Sequence, residues 1–130
     1  MLRILAYLLI VTFVTVARAE EIPQNVAVQI IVSEGADQGL KGMICIAEVL
    51  RRRGSVKGFY GYKRNMMKAE SRFTWQMAAR AWGISAHTHF TNGADHFENI
   101  RSFGAPWWAK YCVLTFEYKD HVFYKEIHQR

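Results

Sequence analysis

An acidic residue, Glu34, closes a strongly apolar segment and is followed at once by Gly35. A carboxyl group at the end of a core element and beside a glycine can be half-buried, and burial disfavours its charged form and raises its pKa. A carboxyl group that stays protonated near neutral pH can act as a general acid. Glu34 is therefore the candidate catalytic residue, and the alternative is a solvated acid at a helix end.

The stretch TNGADHFENIRSFGAPWWAK, residues 91–110, concentrates acids, bases, a histidine and a double tryptophan. Its glycines and its proline exclude a single regular element. Sugar rings stack on exposed aromatic rings, while polar side chains fix their orientation. A polar and aromatic cleft is therefore predicted, with these candidate substrate-binding residues: Tyr60, Asn92, Asp95, His96, Trp107 and Trp108. Alternatively, the tryptophans belong to the core; consecutive residues point different ways, so one can be buried while its neighbour lines the cleft.

Two other clusters have simpler interpretations. His87, His89 and His96 with Glu98 could be assembled into a metal site, but His-x-His without a third ligand at defined spacing is a weak signal. Hydrogen bonding to structure or substrate is preferred, and neither a metal nor a cofactor is predicted. The run at 51–53, three arginines, is either an anion-binding patch or a helix C-terminus that complements the helix dipole.

Helices and a terminal hairpin must position these residues. Residues 25–33 are densely apolar and read as a helix or a buried strand. Residues 40–53 are predicted as a helix because apolar side chains recur three and four apart, with Glu48 outside that stripe. A second helix is predicted over 67–82, with Phe73 toward the core. Residues 111–118 and 122–127 flank a polar turn and predict a β-hairpin. One compact α+β domain follows.

The N-terminus predicts export. An early Arg3, an apolar run over 4–17 and the Ala17-Arg18-Ala19 pattern are typical of a cleaved secretory signal over 1–19, leaving one domain over 20–130. The alternative is an uncleaved signal that gives transient membrane contact. The chain has a net charge of +6, which suits an anionic partner in the periplasm or cell wall, and export argues against nucleic acid.

Two cysteines, Cys45 and Cys112, lie inside apolar runs. In an oxidising compartment they can pair, since only one intramolecular bridge is available. Buried free thiols are equally natural in apolar surroundings. Both alternatives stay open, as does the oligomeric state.

Three segments together resemble the SleB/CwlJ-type cell wall hydrolases. IIVSEGADQGLKGMICIAEVLRRRG, residues 30–54, is similar to the first family motif. The 91–110 stretch resembles the second motif, and HVFYK, residues 121–125, resembles the last strand. The order and approximate spacing agree over nearly all of the chain after residue 19.

The resemblance implies a small lysozyme-like α+β domain that cleaves peptidoglycan glycan strands as a lytic transglycosylase. Glu34 stands where the family carries its catalytic glutamate, and Asn92, His96 and Trp107 or Trp108 fall on the cleft motif. Plain hydrolysis would need a second carboxylate, for which the candidates are Asp37, Glu48 and Asp95. The rivals are a non-catalytic wall-binding or wall-enzyme-regulating protein and a metal-dependent wall amidase. Vegetative wall and spore cortex both remain open as substrates.

Overall fold

The computed structural model describes residues 21–59 and 70–127. The predicted signal segment 1–19 and the candidate Tyr60 lie outside these ranges. Within them no helix is long and apolar enough to cross a bilayer. The elements follow in this order: α1 (Gln24–Gly35), α2 (Gly39–Arg53), α3 (Arg72–Ser85), β1 (His96–Asn99), α4 (Ile100–Phe103), a 3₁₀ helix (Trp107–Tyr111), β2 (Cys112–Tyr118) and β3 (His121–Glu126). The α+β prediction is confirmed.

The first helix, α1, settles the choice between helix and buried strand. Pro23 precedes it, and the Pro23 carbonyl accepts the amide hydrogens of Val26 and Ala27 at 3.0 Å each. Proline suits this place because its fixed φ is compatible with a helix start. Ile30 and Ile31 are completely buried. The dense apolar run is therefore a helix that contacts both α2 and α3.

The central element is α2, in which every residue from Gly42 to Leu50 is buried. The three-and-four spacing predicts its helical conformation correctly, but it predicts burial of one face only. Glu48 is 8% exposed, so its placement outside the buried surface is wrong. The physical reason is that α1, α3 and β1 all contact α2 and together enclose it.

The third helix, α3, begins where Ser71 caps it, with the Ser71 Oγ accepting from the Thr74 amide at 3.2 Å. Ala78, Ala81 and Trp82 are buried. Phe73 is 67% exposed, so its prediction as a core residue is wrong. Phe73 lies in the first turn, and the buried residues of α3 begin only at Ala78.

The sheet contains the predicted hairpin and one further strand. Its order is β1-β3-β2, and both pairs are antiparallel. A bulge at Thr115 shifts the register between β2 and β3. Lys119 adopts a left-handed φ of 50° in the turn. Since side chains alternate across a sheet, Phe97 and Phe123 share the face that packs on buried Phe59, and His96 and Tyr124 lie on the other face.

Both cysteines are free thiols. Cys45 is buried in the middle of α2, and burial raises its thiol pKa to about 12. Cys112 is partly exposed at the start of β2. The disulfide alternative is therefore not realised in this structure.

Candidate functional site

Glu34 lies in the last turn of α1 and is half-buried. The next residue, Gly35, is buried against α2: a Cβ there would come within 2.5 Å of the Ile46 Cδ1 atom. A side chain at position 35 would therefore push α1 away from α2 or displace Ile46. The close contact fixes the end of α1, and with it the position from which the Glu34 carboxyl group extends.

The turn after Glu34 is tied to the β2–β3 turn. The Gln38 Nε2 donates to Asp37 Oδ1 at 2.9 Å and to Asp120 Oδ2 at 3.2 Å. The hydrogen bond from Gln38, together with Arg101, lowers the pKa of Asp120. The neighbouring His121 is buried, and burial lowers its pKa although Asp37 and Asp120 act in the opposite direction. Two distant turns thus form one polar junction beside the end of α1.

The carboxylate of Glu48 accepts four hydrogen bonds from the loop that leads into the 91–110 stretch. Its Oε2 accepts from the Thr88 hydroxyl at 2.7 Å and from the Phe90 amide at 3.1 Å. Its Oε1 accepts from the amide and the hydroxyl of Thr91, both at 2.9 Å. A buried carboxylate is stable when donors saturate it in this way. Glu48 therefore holds residues 88–91 against α2.

Asn92, which follows this loop, has a left-handed φ of 54°. Its side-chain amide donates to the carbonyl of the bulged residue Thr115 at 3.2 Å. Asparagine tolerates this backbone conformation better than most residues. Asn92 is exposed and links the loop to β2, so the structure shows a bracing contact at a residue predicted for substrate binding.

Asp95 and Trp108 both contact His96, which lies on the sheet face opposite to Phe97. The Asp95 Oδ1 lies 2.8 Å from the His96 Nδ1 and accepts the Glu126 amide hydrogen at 2.9 Å. Burial acts to raise the pKa of Asp95, but the bonds from His96 and Glu126 outweigh burial and lower it. Asp95 is therefore an ionised acceptor that orients the histidine.

The His96 ring lies 5.1 Å from Trp108, and Trp108 meets the Tyr124 ring edge-on at 5.3 Å. Trp107 differs from its neighbour: it is 76% exposed, and its described ring contact is with Tyr111 at 6.5 Å. The 3₁₀ helix turns the two consecutive indoles in different directions. Trp108 is thus part of a packed aromatic group, while Trp107 presents a ring to solvent.

The sequence places these residues in one motif, but it does not predict two of the contacts that hold them. Tyr124 completes the aromatic group through β3, and Glu48 holds the loop from α2. A detectable signal for Glu48 was an acid inside the apolar run ICIAEVL. Tyr124 carried no such signal, because strand pairing alone sets it opposite His96. Among residues 21–59 and 70–127, no three His, Cys, Asp or Glu side chains converge as a metal site requires.

The chain matches no protein-family model and no curated protein. Two solved structures match it. The catalytic domain of the Bacillus cereus SleB protein aligns with a TM-score of 0.60 and 12% identity, over 82% of this chain and 93% of that one. The catalytic domain of the germination-specific lytic transglycosylase SleB from Bacillus anthracis aligns with a TM-score of 0.55 and 14% identity, over 78% and 93%. The chain therefore has the fold of the SleB catalytic domain.

Proposed function

We propose that this protein cleaves the glycosidic bond between N-acetylmuramic acid and N-acetylglucosamine in peptidoglycan, as a lytic transglycosylase. The observation that carries the proposal is the structural likeness to two SleB catalytic domains, one of which is described as a lytic transglycosylase. The position of Glu34, half-buried at the end of α1 and before a glycine packed closely against Ile46, supports the assignment of the acid.

In the proposed reaction the protonated Glu34 gives its proton to the glycosidic oxygen, and the bond to the anomeric carbon of the muramic residue breaks. The Glu34 carboxylate then removes the proton of the muramic 6-hydroxyl, whose oxygen bonds to that anomeric carbon. The products are a 1,6-anhydromuramic end and a free hydroxyl on the leaving sugar. Glu34 regains its proton, so one carboxyl group serves as acid and then as base.

The hydrogen bonds of the other acids favour transglycosylation over hydrolysis. A hydrolytic glycosidase normally uses a second carboxylate across the bond. Glu48 is buried and accepts four hydrogen bonds, and Asp95 is held by His96 and the Glu126 amide. Asp37 is exposed and accepts from Gln38. Neither Glu48 nor Asp95 is placed as an unengaged base, which supports a mechanism with one acid.

We assign substrate binding to the residues predicted from the sequence. The exposed Trp107 ring offers a flat apolar face to a sugar, and His96, oriented by Asp95 and packed on Trp108, offers a ring nitrogen. Asn92 and Tyr60 complete the proposed set. We also propose that residues 1–19 direct export to the periplasm or cell wall, where the substrate is found.

The test is mass spectrometry of purified peptidoglycan digested with residues 20–130, beside Glu34→Gln and a matched control. Glu117→Gln is that control, because it removes an exposed carboxylate on β2. We expect anhydromuramyl fragments from the wild type and from Glu117→Gln, and a rate at least about 10²-fold lower with Glu34→Gln.

Two other outcomes would contradict the proposal in different ways. Reducing muramic ends that vanish in Glu34→Gln would keep the enzyme and make it a hydrolase. Intact glycan from a folded protein that still pellets with the wall would favour the alternative, a non-catalytic peptidoglycan-binding or wall-enzyme-regulating protein.

A further inference from the structure

A cavity of about 260 Å³ opens between the C-terminal ends of α2 and α3 and the loop 88–94. Its polar wall includes Arg52, Ser85, Thr88, His89 and Gly93. The cavity is separate from the aromatic group around Trp108, which lies on the other side of the sheet from Phe97 and Phe123. Of the assigned substrate-binding residues that the structure describes, none lines this cavity.

The walls of this cavity are held in place by interactions of their own. Glu48 binds the loop at Thr88 and Thr91 through both carboxylate oxygens. On the opposite side, Arg51 donates to the Ser85 hydroxyl at 2.8 Å and to the Trp82 carbonyl at 2.6 Å, with its guanidinium 3.8 Å from the Trp82 ring centroid. Both walls of the cavity are therefore braced by contacts within the protein.

Two cationic groups flank the loop at Gly93. The position that a Cβ of Gly93 would occupy lies 3.7 Å from the Arg52 Nη2 and 3.9 Å from the Lys125 Nζ. Gly93 has a φ of 84°, a conformation that glycine adopts without strain. The absence of a side chain there leaves open the space between the two charges.

The charges of Arg52 and Lys125 are not neutralised within residues 21–59 and 70–127. No hydrogen bond or ion pair to either side chain occurs there, whereas Arg51 pairs with Glu21. The two acids that border the region, Glu48 and Asp95, are each engaged by other donors. Two like charges set close together and without an acid between them repel each other, and an anion placed between them removes that cost.

We propose that Arg52 and Lys125, around Gly93, bind a carboxylate of the peptide stems that peptidoglycan strands carry. This proposal rests on the proposed function and names a second contact with the same substrate. Guanidinium groups match the planar geometry of a carboxylate. Arg52, Gly93 and His89 also line the neighbouring cavity.

The site is remote from the bond that is cleaved. Gly39 begins α2 close to Glu34 in the chain, and Arg52 lies thirteen residues further along the helix. At about 1.5 Å of rise per residue, this corresponds to about 20 Å. A stem bound there belongs to a neighbouring sugar unit, so the contact contributes to binding and not to the chemical step.

Binding is measured in the Glu34→Gln background, so that no cleavage occurs, by titration calorimetry with soluble glycan strands. One strand preparation keeps its peptide stems, and a second has had them removed by an amidase. The variants Arg52→Gln and Lys125→Gln are compared with Arg80→Gln and Lys57→Gln, which remove exposed charges elsewhere. Arg52→Lys keeps the charge. Melting temperatures verify that every variant is folded.

We expect each site variant to weaken binding of stemmed strands about 3- to 10-fold, with the double variant weaker still. Stripped strands should bind every variant equally. Arg52→Lys should retain only part of the affinity for stemmed strands, because it keeps the charge but loses the planar guanidinium. In the cleavage-competent protein the same variants should raise KM for stemmed strands and leave kcat unchanged.

Unchanged affinity for stemmed strands in the double variant would overturn the proposal. Equal weakening on stripped strands would also overturn it, because the site would then recognise another part of the wall polymer. Failure of the proposed function looks different: the wild type would cleave neither preparation, whatever residues occupy positions 52 and 125.

Discussion

At the scale of single residues, the hydrogen bonds of Glu48 decide what this acid can do. An acid in the middle of a core helix would be strongly unfavourable without partners. Here the loop 88–91 supplies four donors to its two oxygens. The same four bonds that make Glu48 tolerable in the core make it unsuitable as a free second carboxylate for hydrolysis.

We predict that Glu48→Ala lowers the free energy of unfolding by roughly 3 kcal/mol or more, because buried donors of Thr88, Phe90 and Thr91 lose their acceptor. Glu48→Gln should cost less, since one carbonyl oxygen remains. Urea denaturation followed by tryptophan fluorescence measures both. The exposed Glu117→Ala is the control and should change stability little. A Glu48→Ala protein as stable as the wild type would mean that the loop does not depend on this carboxylate.

At the scale of elements, close helix contacts position Glu34 and the hairpin. Gly35 brings α1 onto α2, and Gly42 brings α2 onto the hairpin. A Cβ at Gly42 would lie 2.5 Å from the Gln38 Cβ and 3.3 Å from the Tyr118 Cε1. Gln38 in turn bonds Asp120 in the hairpin turn. The spacing between helices and sheet is therefore set by the smallest side chains.

Two glycine substitutions in helices should have opposite effects. Gly83→Ala, in α3, meets no atom within 4 Å and should raise the free energy of unfolding by roughly 0.5–1 kcal/mol, through the higher helix propensity of alanine. Gly42→Ala gains the same propensity but forces Gln38 or Tyr118 to move, so we expect a net loss of roughly 1–3 kcal/mol. Thermal denaturation of the two variants side by side is the measurement. Stabilisation by both would contradict the close packing of α2 on the hairpin.

At the scale of the whole molecule, the polar junction between the α1–α2 turn and the β2–β3 turn couples folding to pH. His121 is 3% exposed, and its ring meets Phe97 edge-on at 5.2 Å. Burial holds its pKa below the ordinary 6.5. The folded protein therefore keeps His121 neutral at pH values where the unfolded chain already binds a proton.

Lowering the pH should destabilise the folded protein through His121. The contribution of neutral His121 to stability is fully present above about pH 6.5 and is lost as the pH falls through the lowered pKa of the folded state. We predict a decline in the free energy of unfolding between pH 7 and pH 5 that becomes shallower in His121→Phe. The exposed His87→Phe is the control and should keep the wild-type slope. The same slope in His121→Phe would assign the decline to other groups.

The amino-acid sequence by itself determined the class of fold, the helix over α2, the hairpin and the density of polar and aromatic residues in 91–110. The helix and the hairpin follow from local periodicity and turn residues, which act over a few positions. The candidate acid, Glu34, also emerged from local pattern, as an acid at the end of an apolar run.

Only the tertiary structure decided which side chains meet. The burial of Glu48, the exposure of Phe73 and the pairing of His96 with Tyr124 depend on how α1, α3 and the sheet pack around α2. The convergence of Arg52 and Lys125 at Gly93 joins residues from the end of α2, a loop and the last strand. Periodicity cannot encode such contacts, because they arise between elements far apart in the chain.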